Sequence, residues 1–218
     1  MKYIKKILLI FVFIEFSVCS AGSFEDYFSA IKRNDLAAVT SLLQRGFDPN
    51  SRDEAGDHGL FLALKSSSWA VADALINAPK IDLEARNAKD ESALMIAVLK
   101  GQLVLAEKLI DKGADVNKPG WTPLHYAATL GHVPLINLLL DHDAYIDASS
   151  PNDSTPLMMA AMYGTPQAVK VLLESGADPT IKNASGLTAL DFSYRAQSED
   201  SAQIISAFIR GRQPKGQW

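Results

Sequence analysis

Two kinds of apolar segment alternate along the chain. One carries a small residue at a fixed place, Ala63, Ala97, Ala127 or Ala160, and predicts a thin helix that its neighbours approach closely. The other carries Leu and Ile at helical spacing, as at Leu138, Leu139 and Leu140, and predicts a helix that buries one face. The pair recurs. Corresponding positions fall at 25, 58, 92, 122, 155 and 188, so the steps are 33, 34, 30, 33 and 33 residues. The turns after the second helices keep the same register: Gly46-Phe47-Asp48-Pro49-Asn50, Gly113-Ala114-Asp115-Val116-Asn117 and Gly176-Ala177-Asp178-Pro179. Six helix pairs are therefore expected over roughly residues 23 to 210. No pair buries its apolar face alone, so stability comes from neighbours.

The clearest unit runs from Gly120 to Asp147, G-W-T-P-L-H-Y-A-A-T-L-G-H-V-P-L-I-N-L-L-L-D-H-D-A-Y-I-D. Thr122-Pro123-Leu124-His125 opens it, and Gly131-His132 breaks its two helices. Thr155-Pro156-Leu157, Thr188-Ala189-Leu190, Ser92-Ala93-Leu94 and His58-Gly59-Leu60 fill the same opening slots. This pattern resembles the ankyrin repeat, whose period is about 33 residues. The resemblance implies an all-α ankyrin solenoid of about six helix-turn-helix repeats joined by short β-hairpin loops. Thr or Ser before Pro is expected to cap each first helix. Gly46, Gly113 and Gly176 are expected to end second helices in a left-handed conformation. The end repeats depart as caps do. The first has Phe24, Tyr27 and Phe28 without the opening motif, and the last has Asp191 and Ser193 where His and Ala are usual.

Residues 1–21 read as a secretory signal peptide. Lys2, Lys5 and Lys6 precede the apolar run Ile7 to Ile14, and small residues follow at Ser17, Ser20, Ala21 and Gly22. Cleavage is expected after Ser20 or Ala21, giving a periplasmic or secreted chain with no stable membrane insertion. The alternatives are an anchor through an uncleaved leader or through a lipidated Cys19. Glu15 weakens the apolar run, and Phe16 and Val18 fit a lipidation motif poorly. Residues 22–210 are the expected repeat domain, and 211–218 a disordered tail.

The net charge is -4. Without the leader it becomes -6, from 18 basic and 24 acidic residues. Nothing there favours nucleic acid. The one cysteine precludes an internal disulfide. Catalytic chemistry finds no support either. His125 and His132 occupy consensus positions, where the resemblance implies structural hydrogen bonds. His58 and His142 have no ligand cluster at metal spacing. Met158, Met159 and Met162 read as gap fillers. No cofactor, metal or catalytic residue is expected.

What remains is binding. The resemblance implies that partners meet the hairpin tips and the concave face of the inner helices, in slots just before the opening motif and just after the paired alanines. Those slots hold Asp57, Lys65 and Ser66 in repeat two, and Glu91, Leu99 and Lys100 in repeat three. They hold Trp121, Thr129 and Leu130 in repeat four, and Ser154, Met162 and Tyr163 in repeat five. Trp121, Leu130, Met162 and Tyr163 are expected to form an apolar-aromatic patch, beside a hairpin shortened by three residues at Lys118-Pro119-Gly120. The reading is thus a monomeric exported module or scaffold that binds another protein. Exported bacterial ankyrin proteins that support periplasmic enzymes such as catalase are one version. An immunity or inhibitor protein for a toxic periplasmic enzyme, or a secreted effector that binds host proteins, are the others.

Overall fold

The computed structural model describes residues 22–212. The leader reading and residues 213–218 lie outside them. Twelve helices are found among the described residues, two for each of the six repeats. The chain divides into two compact units after Glu91.

The first unit holds repeats one and two. Helix α1 covers 22–32 and α2 Leu36–Gln44. Helix α3 is Gly59–Lys65, and α4 is Trp69–Ile76. Aromatic residues replace the missing opening motif of repeat one. Tyr27 is fully buried, its ring 4.5 Å from that of Phe47, and its hydroxyl donates to the Pro49 carbonyl. That ring also explains Gly59 at the start of α3. A Cβ there would sit 2.6 Å from the Tyr27 hydroxyl oxygen.

The second unit holds repeats three to six. They are α5 (Ala93–Leu99) with α6 (Leu103–Asp111), and α7 (Pro123–Leu130) with α8 (Val133–Asp141). Next come α9 (Pro156–Tyr163) with α10 (Pro166–Glu174), and α11 (Ala189–Arg195) with α12 (Glu199–Arg212). The inner helices α5, α7, α9 and α11 pack in that order, and α6, α8, α10 and α12 form the outer row. Ala127, Ala128, Ala160 and Ala161 are buried where the inner helices meet, so small side chains let the backbones approach. At Gly164, even an added methyl group would run into the Ala128 carbonyl.

The helix starts follow one chemical rule. Ser92, Thr122, Thr155 and Thr188 each accept the backbone N–H three residues on. The residue at that third position reaches back to the cap's own N–H through a different atom each time: the sulfur of Met95 or Met158, Nδ1 of His125, or a carboxylate oxygen of Asp191. His58 takes the cap position itself and accepts from the Leu60 N–H. Gly46, Gly113 and Gly176 have φ of 89°, 94° and 109°, the left-handed C-terminal turns expected.

Two expectations are corrected. The β-hairpins shrink to five-residue tips, and Arg52 with His58 is the sole β-bridge among the described residues. Asp53, Asn87 and Asn183 each start a tip, and each side chain accepts two N–H groups from its own loop. Two backbone bonds then close each tip, as from the Asn183 N–H to the Leu187 carbonyl and from the Gly186 N–H to the Asn183 carbonyl. Such a loop is too short for a ladder. At the other end, α12 continues two residues past position 210, with the Arg212 guanidinium 4.4 Å over the Phe208 ring.

Candidate protein-binding surface

The ends of the inner helices carry the exposed apolar side chains. Leu99, Leu130 and Tyr163 are the last residues of α5, α7 and α9, and Leu130 and Tyr163 are 42% and 63% exposed. Met162 beside Tyr163 is half-buried, and Lys100 beside Leu99 is exposed. Because α5, α7 and α9 are consecutive neighbours, these residues form one row. Trp121 stands at the other end of α7, about 12 Å from Leu130 along a helix of this length. Its ring meets His125 edge-on, centroids 5.2 Å apart, and 36% of the residue is exposed.

Three expected surface residues are committed elsewhere. Ser154 is 0% exposed. Its carbonyl accepts from Nε2 of His125, its N–H donates to Oγ of Ser150, and its own Oγ accepts from Asn183. It is the junction of three repeats rather than a contact residue. Thr129 is half-buried, and its hydroxyl donates to the His125 carbonyl. Glu91, in the first unit, accepts from the Asn87 side chain and so folds back onto its own tip.

The sequence reading missed Tyr145, which is 68% exposed. A signal was available. In four other turns an aspartate at this position, Asp48, Asp82, Asp115 or Asp178, accepts the N–H two residues on. Repeat four puts Tyr145 there, and Asp143, at φ 60°, where Gly113 and Gly176 stand in its neighbours. Val104 and Tyr194 are also exposed, outside the slots named above.

Three of the four histidines serve the fold. Burial holds the His125 imidazole down to about 4, and it also lowers His58, whose Nε2 lies 3.0 Å from Oδ1 of Asn50. Nδ1 of His132 accepts from the Leu135 N–H. Among the described residues no three His, Cys, Asp or Glu side chains gather where they could hold a metal ion, and no helix is long and apolar enough to cross a membrane.

The family model for ankyrin repeats matches residues 28–119, 60–150, 107–183 and 146–209. The chain belongs to the ankyrin repeat family. A putative ankyrin repeat protein of Escherichia coli K12, YahD, is 28% identical over 191 residues, covering 84% of this chain and 94% of its own. The mouse nuclear factor NF-kappa-B p105 subunit is 33% identical over 168 residues, or 73% of this chain. The chain spans 17%, 18% and 36% of three curated relatives that it matches, mouse and chicken p105 and a mouse B-cell lymphoma 3 homolog. Among solved structures, it resembles a chain of the Bdellovibrio bacteriovorus predatory endopeptidase Bd0816 in complex with the immunity protein Bd3460. The TM-score is 0.74 at 31% identity, over 84% of this chain and 97% of that one. The ankyrin repeat protein EF0377 gives 0.75 at 26% identity, over 83% and 96%. An ankyrin repeat protein is a protein-protein interaction module, and these neighbours share that architecture.

Proposed function

We propose that the protein acts outside the cytoplasm, binding one partner protein through the row formed by Leu99, Leu130, Met162 and Tyr163, with Trp121 at its edge. The observation that supports this is the contrast along each inner helix. Val98, Ala128 and Ala161 are buried between repeats, yet large apolar side chains stand one or two positions on and face solvent. Apolar side chains gathered in one exposed row mark an interaction surface. Aromatic anchors such as Tyr163 carry much of the energy at such surfaces. Export rests on the leader pattern of residues 1–21.

A second reading is that of an immunity protein or inhibitor that masks a toxic periplasmic enzyme. The resemblance to a chain of the endopeptidase–immunity protein complex favours it, because the match covers almost all of that chain.

The test has two arms. A fusion of residues 1–30 to alkaline phosphatase should be active only if the leader directs export, and an inactive fusion would remove the extracytoplasmic reading. Crosslinked pull-down from periplasmic extract should recover one partner with the wild type and lose it with Leu130→Ser/Tyr163→Ser. Equal recovery by both would show that the row is not the contact. A hydrolase in the eluate whose activity drops on adding this protein would support the inhibitor reading.

A further inference from the structure

The chain is acidic overall, at -4, yet the band that ends the inner helices is not. In the second unit that band comprises residues 99–102, 129–132, 162–165 and 195–198. It contains Lys100 and Arg195 and no carboxylate. Both cations are exposed, and neither side chain has an ion pair or hydrogen-bond partner among the described residues. Repeat two shows the ordinary alternative. There Lys65, in the slot of Arg195, is neutralised by Asp57 at 2.8 Å. The slot of Asp57 is filled by Leu187 in repeat six, so Arg195 loses that partner. The nearest acid on its own helix, Asp191, already accepts the Thr188 N–H and hydroxyl. It feels Arg195 and Lys182 only through space.

Lys100, Leu130 and Tyr163 hold one slot and Arg195 stands one position before it in repeat six, so the order along the band is cation, apolar, aromatic, cation. Packed helices lie about 8–10 Å apart, so three steps from α5 to α11 place the two cations roughly 25–30 Å from each other. An extended segment in the polyproline II conformation rises about 3.1 Å per residue with three residues per turn, so every third side chain faces the row and about three residues match each step.

We propose that this row takes an extended acidic segment of the partner, eight to ten residues long. Carboxylates at its ends meet Lys100 and Arg195, and two apolar side chains between them meet Leu130 and Tyr163. The inference rests on the binding surface proposed above and adds its chemistry. The negative charge elsewhere on the protein disfavours such a segment at other places, which gives the row its specificity.

The probe is a fluorescein-labelled ten-residue peptide with Glu at both ends, Leu fourth and Phe seventh. Its twin carries Lys at both ends. Anisotropy with the full chain should show saturable binding of the Glu peptide, weakening about tenfold between low salt and 0.5 M as exposed charges are screened. The Lys peptide should bind at least about tenfold more weakly. Lys100→Glu/Arg195→Glu should reverse the preference. Both residues are exposed, so circular dichroism of this variant should match the wild type. Equal binding of both peptides, no binding of either, or a charge-reversed variant with unchanged preference would overturn the inference. The two proposals separate cleanly. Partner capture lost with Leu130→Ser/Tyr163→Ser but kept by the charge-reversed variant would leave the binding surface standing and remove the acidic segment.

Discussion

Nε2 of His125 lies 2.9 Å from the carbonyl oxygen of Ser154, and this bond fixes the imidazole in one neutral form. A carbonyl only accepts, so Nε2 carries the proton. Nδ1 is then free to accept from the Thr122 N–H, 3.2 Å away. One uncharged ring therefore closes the cap of α7 and holds the tip of the next repeat.

Stability should fall as the pH drops below about 6.5. His125 is held near 4 in the folded chain by burial, against 6.5 for the free side chain. The unfolded chain binds the extra proton between those values, so stability is full above about 6.5 and is lost progressively toward 4. His58 is shifted in the same direction, also by burial, and adds to the same slope. At about 1.4 kcal/mol per unit, the His125 contribution is on the order of 3 kcal/mol. Urea unfolding at pH 7.5, 5.5 and 4 measures it, and His125→Gln should flatten the curve. An unchanged slope in that variant would show that His125 does not carry the effect.

Gly164→Ala should cost about 1–3 kcal/mol, the range for overpacking a tight contact. Its Cβ would meet the Ala128 carbonyl and lie 2.9 Å from Cα of Ala160, both backbone atoms that cannot swing aside. Gly113→Ala offers the contrast. No atom lies within 4 Å of its Cβ, so only the left-handed φ of 94° opposes the change, at about 1 kcal/mol. Thermal melts of the two variants should rank in that order.

Asn117→Ala should loosen repeat four. The Asn117 side chain donates to the Asp143 carbonyl and accepts from the Tyr145 N–H, each at 2.9 Å. Losing two partly exposed hydrogen bonds costs about 1–2 kcal/mol. Amide exchange at Tyr145 should quicken before that of the α8 core. Asn50 makes the same pair of bonds to Lys80 and Asp82 in the first unit, so Asn50→Ala should behave alike.

Tyr163→Ser should leave the melting temperature almost unchanged, since 63% of the residue is exposed, and Leu130→Ser, at 42% exposed, should lower it only slightly. Trp121→Ala should cost about 0.5–1.5 kcal/mol through its edge contact with His125. A large loss in the first two variants would show that they are core residues.

Much of the fold was legible in the sequence. The recurrence of Ser or Thr, a small helix and a left-handed glycine located the six helix pairs, because caps and turns depend on residues within one repeat. Ser154 was misread for the opposite reason. Its sequence slot is half-buried or exposed in the other repeats, as at Asp57, Glu91, Trp121 and Leu187, but in repeat five its carbonyl meets His125, 29 residues away. Tyr145 was legible but overlooked, since its signal lies in the four aspartates that it departs from.

The sequence by itself determined the repeat count, the caps and the family, because these follow from short-range chemistry repeated in register. Only the tertiary structure decided which side chains of each slot remain free. Whether Lys65 is neutralised, Arg195 left unpaired, or Ser154 drawn inside depends on groups brought together by packing, at distances along the chain that no local pattern records.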